Sequence, residues 1–203
     1  MTNTGSNFIH HYTPATKTGH SPLLLLHGTG GDENDLVPMG QAVAPGAALV
    51  SPRGKVLENG MPRFFRRLAE GVFDEDDLRL RAAELAEFIA QARNDYALPA
   101  PFALGFSNGA NMAAALLLLH PEALAGAVLL RAMKPLQTMP TPDLTGKRIL
   151  LLAGATDPII PADNARGLAE HLQNCGAAVE FHTLPVGHGL SQADLRLTSE
   201  FLS

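Results

Sequence analysis

The sequence has little of what disulfide-stabilised, secreted or membrane-spanning proteins need. Among its 203 residues only Cys175 is a cysteine, so an intrachain disulfide cannot form. Its position between a helical pattern and a strand pattern favours a passive, half-buried thiol over a nucleophile. The longest aliphatic run, residues 113–119, is far shorter than the ~18 residues that cross a bilayer. The first residues lack the basic and then apolar pattern of a signal peptide, so we expect a cytoplasmic protein without a membrane segment.

An excess of positive charge is also missing. The formal net charge is −5 and the pI is about 5.9, so charge gives no reason to expect nucleic-acid binding. One basic cluster, Arg63, Arg66 and Arg67, is followed closely by Glu70 and by the acidic run 74–77. A charge run that cancels itself in this way predicts a solvated or internally paired surface. No metal-ligand cluster is visible, and neither a metal nor a cofactor is expected.

Short apolar runs alternate with longer helical patterns along the whole chain. Hydrophobic residues make up 46% and charged residues 17%, which is typical of one globular domain, here 1–203. The patterns predict strands over 8–13, 23–26, 47–51, 102–106, 127–130, 148–153 and 179–184, and helices over 74–93, 108–119, 161–174 and 190–202. Such alternation predicts an α/β protein with a mostly parallel sheet, helices on both faces and no separate cap domain.

Ser107 lies at the centre of residues 105–109, GFSNG, which fit the pattern G-x-S-x-G. This chemistry needs a sharp turn from strand to helix that exposes the serine oxygen, and glycines on both sides relieve crowding there. The pattern alone arises by chance in a glycine-rich chain, where it would mark a turn without chemistry. A buried strand pattern directly before it and a helix pattern directly after it favour Ser107 as a nucleophile. The helix amino terminus at Asn108 would stabilise negative charge nearby.

Asp157 and His188 are the candidate partners of the serine. Where such a serine turn operates, an acid and then a histidine follow it along the chain, each in a loop after a strand. Asp157 comes directly after the strand pattern 148–153, and His188 follows the last strand between Gly187 and Gly189. Asp157 would orient His188, which would take the proton from Ser107. The alternative for Asp157 is a capping residue before the next helix.

The loop HGTGGD, residues 27–32, follows the first strong strand pattern. Acyl transfer builds negative charge on a carbonyl oxygen, which preorganised backbone N–H groups must meet. We expect these donors from Thr29 and Asn108, since glycines beside Thr29 let the backbone approach closely. His27 is expected to be a structural hydrogen-bonding residue. The loop lacks the lysine and the glycine spacing of phosphate-binding turns, which disfavours a nucleotide site.

The segment 52–73 is predicted to be a loop beyond the carboxyl end of the third strand, where ligands gather in α/β proteins. Its apolar residues would form either a wall for an acyl or aryl group or ordinary core packing, and both interpretations stay open: Met61, Phe64, Phe65 and Phe73. Its charged residues would either position an acidic substrate or order the segment through ion pairs, the second being favoured: Arg53, Glu58 and Arg63.

With these elements in place, the chain resembles the phospholipase/carboxylesterase family of α/β hydrolases, the compact branch that includes acyl-protein thioesterases. The resemblance runs from about residue 23 to the carboxyl end, in LLLLHGTGGDENDL, GFSNGANMA, AGATDPIIP and VGHGL. SPRGKVLENGMPRFFRR and GVFDEDDL are similar to a bacterial subgroup of carboxylesterases and hydroquinone-linked hydrolases. Dienelactone hydrolases share the architecture but use cysteine where this chain has Ser107. Acyl-protein thioesterases typically have glutamine where this chain has Asn108, which weakens the case for thioesters.

The residues and the resemblance together predict a serine carboxylesterase with a small-molecule ester as its partner. It would hydrolyse carboxylic esters through an acyl-enzyme. Short- to medium-chain or aryl esters are expected as substrates, because the α/β-hydrolase fold without a lid leaves the site open. An acyl-protein thioesterase is the nearest alternative. A catalytically silent binding protein of the same fold is disfavoured, since the serine, acid, histidine and oxyanion loop are all present. The resemblance also implies a homodimer.

Overall fold

A seven-stranded sheet runs through residues 8–203, the part of the chain that the computed structural model describes. In chain order the strands are β1 (His10–Thr13), β2 (Leu23–Leu26), β3 (Leu49–Pro52), β4 (Val56–Glu58), β5 (Met61–Arg63), β6 (Arg67–Ala69), β7 (Val72–Phe73), β8 (Phe102–Phe106), β9 (Gly126–Leu130), β10 (Arg148–Gly154) and β11 (Ala178–Leu184). The helices are α1 (Val37–Val43), α2 (Glu75–Asp95), α3 (Asn108–Leu119), α4 (Ala162–Asn174) and α5 (Gln192–Leu202).

The strand order in the sheet is β1-β3-β2-β8-β9-β10-β11. Strand β1 runs antiparallel to β3 at one edge, and the other neighbouring pairs are all parallel. The predicted mostly parallel sheet is therefore confirmed. The carboxyl ends of β2, β8, β10 and β11 meet at one edge of the sheet, where the loops carrying the candidate site residues begin.

Helices cover both faces of the sheet, as predicted. Successive residues of β10 point to opposite sides, so that Leu151 joins the core under α2, α3 and α4 while Leu152 joins the core under α1 and α5. Both leucines are fully buried, which explains why this strand reads as an unbroken apolar run. No helix in residues 8–203 combines the length and the apolar character needed to cross a membrane.

Two parts of the fold differ from the sequence prediction. Helix α1 was not predicted, because its seven residues include Gly40 and span too few turns to show a helical period. The segment 52–73, predicted as a loop, forms two short hairpins, β4–β5 and β6–β7. Asn59 and Gly60 connect β4 to β5 with φ values of 52° and 80°, as a two-residue hairpin turn requires.

A fully buried ion pair joins the centre of the sheet to the last helix. Arg131 follows β9, and its Nη1 and Nη2 lie 2.8 and 2.9 Å from the two carboxylate oxygens of Asp194 in α5. Oδ2 of Asp194 also accepts the backbone N–H and the hydroxyl of Ser191, each at 2.7 Å. A buried pair is tolerated when its remaining polar atoms are satisfied in this way, and losing either partner leaves an uncompensated charge.

Replacing Asp194 by asparagine should therefore destabilise the protein strongly. We expect Asp194→Asn to lower the free energy of unfolding by about 3–5 kcal/mol, because Arg131 stays buried without its counter-charge. Glu200→Gln is the matched control on the same helix. Its ion pair with Arg196 is exposed, so the loss should not exceed about 0.5 kcal/mol. Urea unfolding followed by circular dichroism measures both, and equal losses would contradict the prediction.

Candidate active site

Ser107 occupies a strained turn between β8 and α3. Its φ is 52° and its ψ is −113°, in a region that side chains other than glycine rarely adopt and that costs about 1–3 kcal/mol. Its N–H donates to the carbonyl of Leu130 at 2.9 Å, which ties the turn to β9. A Cβ atom added to Gly105 would lie 2.7 Å from the backbone of Ala110, and one added to Gly109 would collide with the backbone of Leu26. Glycine is therefore needed on both sides.

The structure brings together the three residues predicted from the sequence. The ring atom Nε2 of His188 lies 2.9 Å from Oγ of Ser107, and Nδ1 lies 2.8 Å from Oδ2 of Asp157. Because an ionised carboxylate only accepts, Nδ1 must carry the ring proton and donate to Asp157. Nε2 is then free to accept the hydroxyl hydrogen of Ser107. The arrangement is a continuous chain of hydrogen bonds from a carboxylate to a serine oxygen.

Asp157 uses its two carboxylate oxygens for two tasks. Oδ1 accepts the backbone N–H groups of Ile159 and Ile160 at 2.8 and 3.1 Å, while Oδ2 accepts from His188. Burial raises the pKa of Asp157, but these hydrogen bonds outweigh burial, and the pKa lies below its ordinary value. The carboxylate is therefore charged at neutral pH. Asp157 therefore orders its own loop and contacts His188, whereas the alternative of a helix cap is wrong, because α4 begins after Pro161 without a side-chain cap.

Arg131 binds the loop that carries His188 through two backbone carbonyls. Its Nε donates to the carbonyl of Gly187 at 3.1 Å and its Nη2 to the carbonyl of Gly189 at 3.0 Å, so the residues on both sides of His188 are fixed. Sequence reasoning missed this residue. The available signal was a charged side chain directly after a fully apolar strand, together with an acidic residue, Asp194, inside the last predicted helix.

Thr29 and Asn108 line the same cavity as Ser107. Neither of their backbone N–H groups donates to an acceptor within residues 8–203. The glycine loop is held in place by the N–H of Gly30, which donates to the carbonyl of Pro62 at 3.0 Å. The side-chain oxygen of Asn108 accepts from the N–H of Phe64 at 2.7 Å, which ties the hairpin segment to the serine turn. The two free N–H groups suit the predicted oxyanion role.

His27 lies buried under the glycine loop and is held neutral. Its Nε2 accepts the backbone N–H of Gly54 at 3.0 Å, and its Nδ1 lies 2.7 Å from the carbonyl of Gly28. Since a backbone N–H only donates, Nε2 carries no proton. Burial lowers the pKa of His27, and the Gly28 carbonyl offsets this only in part. These contacts support a structural role for His27.

The cavity beside Ser107 has a volume of about 220 Å³, and its apolar lining differs from the one proposed from the sequence. Phe64 and Phe65 are 2% and 0% exposed and pack in the core, which favours the core-packing interpretation for both. Met61 is 40% exposed and lies beside Gly30, outside the lining. The apolar lining comes from Phe73, which the sequence also proposed, and from four residues that it did not propose: Phe106, Met133, Ile159 and Ile160. Within residues 8–203, no three histidine, cysteine or acidic side chains form a group that could hold a metal ion.

The charged residues of the hairpin segment belong to two separate groups, not to one network. Arg53 pairs with Glu33, which directly follows the loop 27–32, with Nη2 and Oε1 2.8 Å apart. Glu58 pairs with Arg67, whose Nη2 lies 2.6 Å from Oε1, and with Arg63, whose Nε lies 3.3 Å from Oε2. These ion pairs are of the kind that the ordering interpretation expects. Arg63 and Arg67 also line the cavity.

The neutral state of His27 leads to a pH dependence of stability. The unfolded ring has a pKa of about 6.5, above that of the folded ring, so the unfolded chain takes up the proton first. The contribution of the neutral His27 ring to stability is fully present above the pKa of the unfolded ring. It is lost as the pH falls towards the pKa of the folded ring. We expect the stability advantage of wild type over His27→Asn to be smaller at about pH 5.5 than at about pH 8. Urea unfolding at both pH values measures it, and an unchanged difference would show that burial does not hold His27 neutral.

Comparison with known proteins identifies the family to which the chain belongs. The sequence profile of the phospholipase/carboxylesterase family matches residues 13–203. The hydrolase MhqD of Bacillus subtilis strain 168 is 42% identical over 186 residues, which are 91% of this chain and 93% of MhqD. The crystal structure of the Bacillus cereus carboxylesterase is 44% identical, with a TM-score of 0.94 over 96% of this chain and 93% of that one. A Mesorhizobium loti carboxylesterase is 34% identical, with a TM-score of 0.91 over 96% and 94%. The chain therefore belongs to the phospholipase/carboxylesterase family and has the α/β-hydrolase fold.

Proposed function

We propose that the protein is a serine carboxylesterase that cleaves short- to medium-chain or aryl carboxylic esters through an acyl-enzyme. The observation that carries the proposal is the hydrogen-bond chain from Asp157 through His188 to Ser107, which ends at a cavity. Membership of a family of hydrolases supports it, as do relatives named as carboxylesterases in Bacillus cereus and Mesorhizobium loti.

In the first half of the reaction, the Oγ of Ser107 attacks the ester carbonyl carbon while Nε2 of His188 takes the hydroxyl proton. The carbonyl electrons move to oxygen, and the N–H groups of Thr29 and Asn108 stabilise the negative charge. Asp157 stabilises the imidazolium that forms. When the tetrahedral intermediate collapses, His188 gives its proton to the leaving alkoxide, so an alcohol departs and the acyl group stays on Ser107.

In the second half, water takes the place of the alcohol. His188 removes a proton from the water, whose oxygen attacks the acyl carbon, and the same N–H groups stabilise the charge. Collapse returns the proton to Oγ of Ser107 and releases the carboxylic acid. One ester and one water thus give one acid and one alcohol, and each proton passes through Nε2.

The cavity favours small acyl or aryl groups. Its volume of about 220 Å³ is below the ~300–1,000 Å³ of sites that enclose a drug-sized ligand. Its lining combines apolar side chains with the polar residues near Ser107. The apolar side chains are Phe73, Phe106, Met133, Ile159 and Ile160. A short acyl or aryl group would contact these side chains, whereas a long lipid tail would extend into solvent.

Replacing Ser107 by alanine should abolish turnover. For p-nitrophenyl acetate we expect kcat/KM to fall by at least about 10³-fold, because no other group in the arrangement supplies the nucleophile. Ser199→Ala makes the same chemical change in α5 and should leave the rate unaltered. Running p-nitrophenyl octanoate and an acyl thioester beside the acetate ranks chain length and separates an esterase from a thioesterase.

A fluorophosphonate probe tests the nucleophile independently of substrate. It should label wild type and Ser199→Ala but not Ser107→Ala, since the probe forms a phosphorus–oxygen bond with an activated serine and releases fluoride. A wild type that does not react would identify a catalytically silent binding protein. Labelling that persists in Ser107→Ala would place the nucleophile elsewhere.

A further inference from the structure

Two arginines line the cavity that contains Ser107 and His188. Arg63 and Arg67 both belong to its lining, and no aspartate or glutamate of residues 8–203 does. Arg63 is only 3% exposed, so its charge lies in surroundings poor in water. There the attraction between opposite charges is stronger than in solvent. This part of the cavity is therefore suited to a negatively charged group.

The pairing of the two arginines leaves one positive charge uncompensated. Glu58 is the carboxylate that contacts both, with 2.6 Å from Oε1 to Nη2 of Arg67 and 3.3 Å from Oε2 to Nε of Arg63. Arg66, their neighbour along the chain, pairs instead with Asp74 at 2.9 Å and lies outside the lining. Two guanidinium groups thus share a single carboxylate beside the cavity.

Each of the two arginines also keeps hydrogen-bond donors that no group of residues 8–203 accepts. Arg63 donates from Nε to the carbonyl of Phe65 at 3.2 Å and from Nη1 to Oγ1 of Thr29 at 2.7 Å. Arg67 donates from Nε and from Nη2 to the carboxylate of Glu58. Within residues 8–203 neither Nη2 of Arg63 nor Nη1 of Arg67 has an acceptor, so one terminal amino group of each arginine is available to a ligand.

Asn111 supplies a further donor from the helix that follows Ser107. Its Oδ1 accepts the backbone N–H of Met133 at 2.9 Å, which fixes the orientation of the amide. The amide nitrogen then has no acceptor in the described part of the chain, although Asn111 is buried and lines the cavity. A carboxylate, which has two oxygens and accepts several hydrogen bonds, matches this set of donors.

We propose that Arg63, Arg67 and Asn111 form an anion subsite and that the preferred substrate is an ester carrying a carboxylate. This inference rests on the esterase function proposed above and narrows its substrate class. Arg63 contacts Thr29, so the subsite adjoins the proposed oxyanion donors. The carboxylate and the scissile ester of one small molecule therefore share a single cavity. Neutral esters are substrates that lack this contact.

Two pairs of chromogenic esters test the preference and locate the charge. In the first pair, the mono-p-nitrophenyl ester of adipic acid carries a free carboxylate on its acyl part. The neutral member is the same compound with that carboxylate converted to a methyl ester. In the second pair, the acetyl ester of p-hydroxybenzoate carries the carboxylate on its alcohol part. The neutral member is the acetyl ester of p-hydroxybenzamide. In wild type, kcat/KM should favour the anionic member of at least one pair, and added salt should reduce that preference.

Variants with opposite charge changes give the decisive comparison. Arg67→Gln should lower the ratio of anionic to neutral kcat/KM about 10-fold, mainly through KM, because a charge-assisted hydrogen bond is lost. Glu58→Gln removes the shared carboxylate and should raise the same ratio. Arg66→Gln removes a positive charge from the same segment outside the cavity and should leave the ratio at the wild-type value.

The neutral ester is the internal standard for folding and for chemistry. If Arg67→Gln and Glu58→Gln change both members of a pair equally, the arginines only order the segment and the anion subsite is wrong. A wild type that prefers the neutral member of both pairs overturns it as well. Loss of the esterase function itself would look different, since wild type would then cleave neither member faster than Ser107→Ala does.

Discussion

The arrangement of the candidate site depends most on the contacts of the buried Arg131 guanidinium. It reaches the carbonyls of Gly187 and Gly189, and its charge is balanced by Asp194 in the last helix. The loop of His188 would otherwise have two glycines and little to hold it at the end of an edge strand. Forming a buried ion pair adds little net stability, but removing one partner is costly, so the intact pair can specify a geometry. Here it couples the folding of the carboxyl-terminal helix to the position of a reacting ring.

The strained serine turn depends on a different kind of constraint, which is close backbone packing. Helix α3 begins directly after Ser107 and is buried over nearly its whole length, so the chain cannot relax without opening the centre of the sheet. The unfavourable φ of Ser107 persists because the surrounding structure fixes it. The first residue of the helix, Asn108, lines the cavity, where the helix amino terminus would stabilise a developing negative charge.

The sheet, most helices and the grouping of Ser107, Asp157 and His188 were predictable because each depends on local signals. Strand patterns fix where loops begin, and parallel strands bring their carboxyl ends to one edge. The contact of Arg131 with Asp194 joins residues far apart in the chain, and no local pattern announces it. The hairpins of 56–73 had one signal, the Asn59–Gly60 turn, but strands of two or three residues carry no usable period. Which aromatic side chains of such a segment face the core is decided by tertiary packing alone.

The proposed catalytic residues and the proposed anion subsite come from different parts of this molecule. The sheet ends present the reacting groups, whereas the two hairpins after β3 contribute the cationic part of the cavity. A hairpin with a two-residue turn is a self-contained unit whose pairing is set within a few residues. Gly71 in the turn between β6 and β7 lines the cavity, so a change there would alter the cavity without shifting a strand of the sheet. This arrangement would let the cavity lining change while Ser107, Asp157 and His188 keep their positions at the sheet ends.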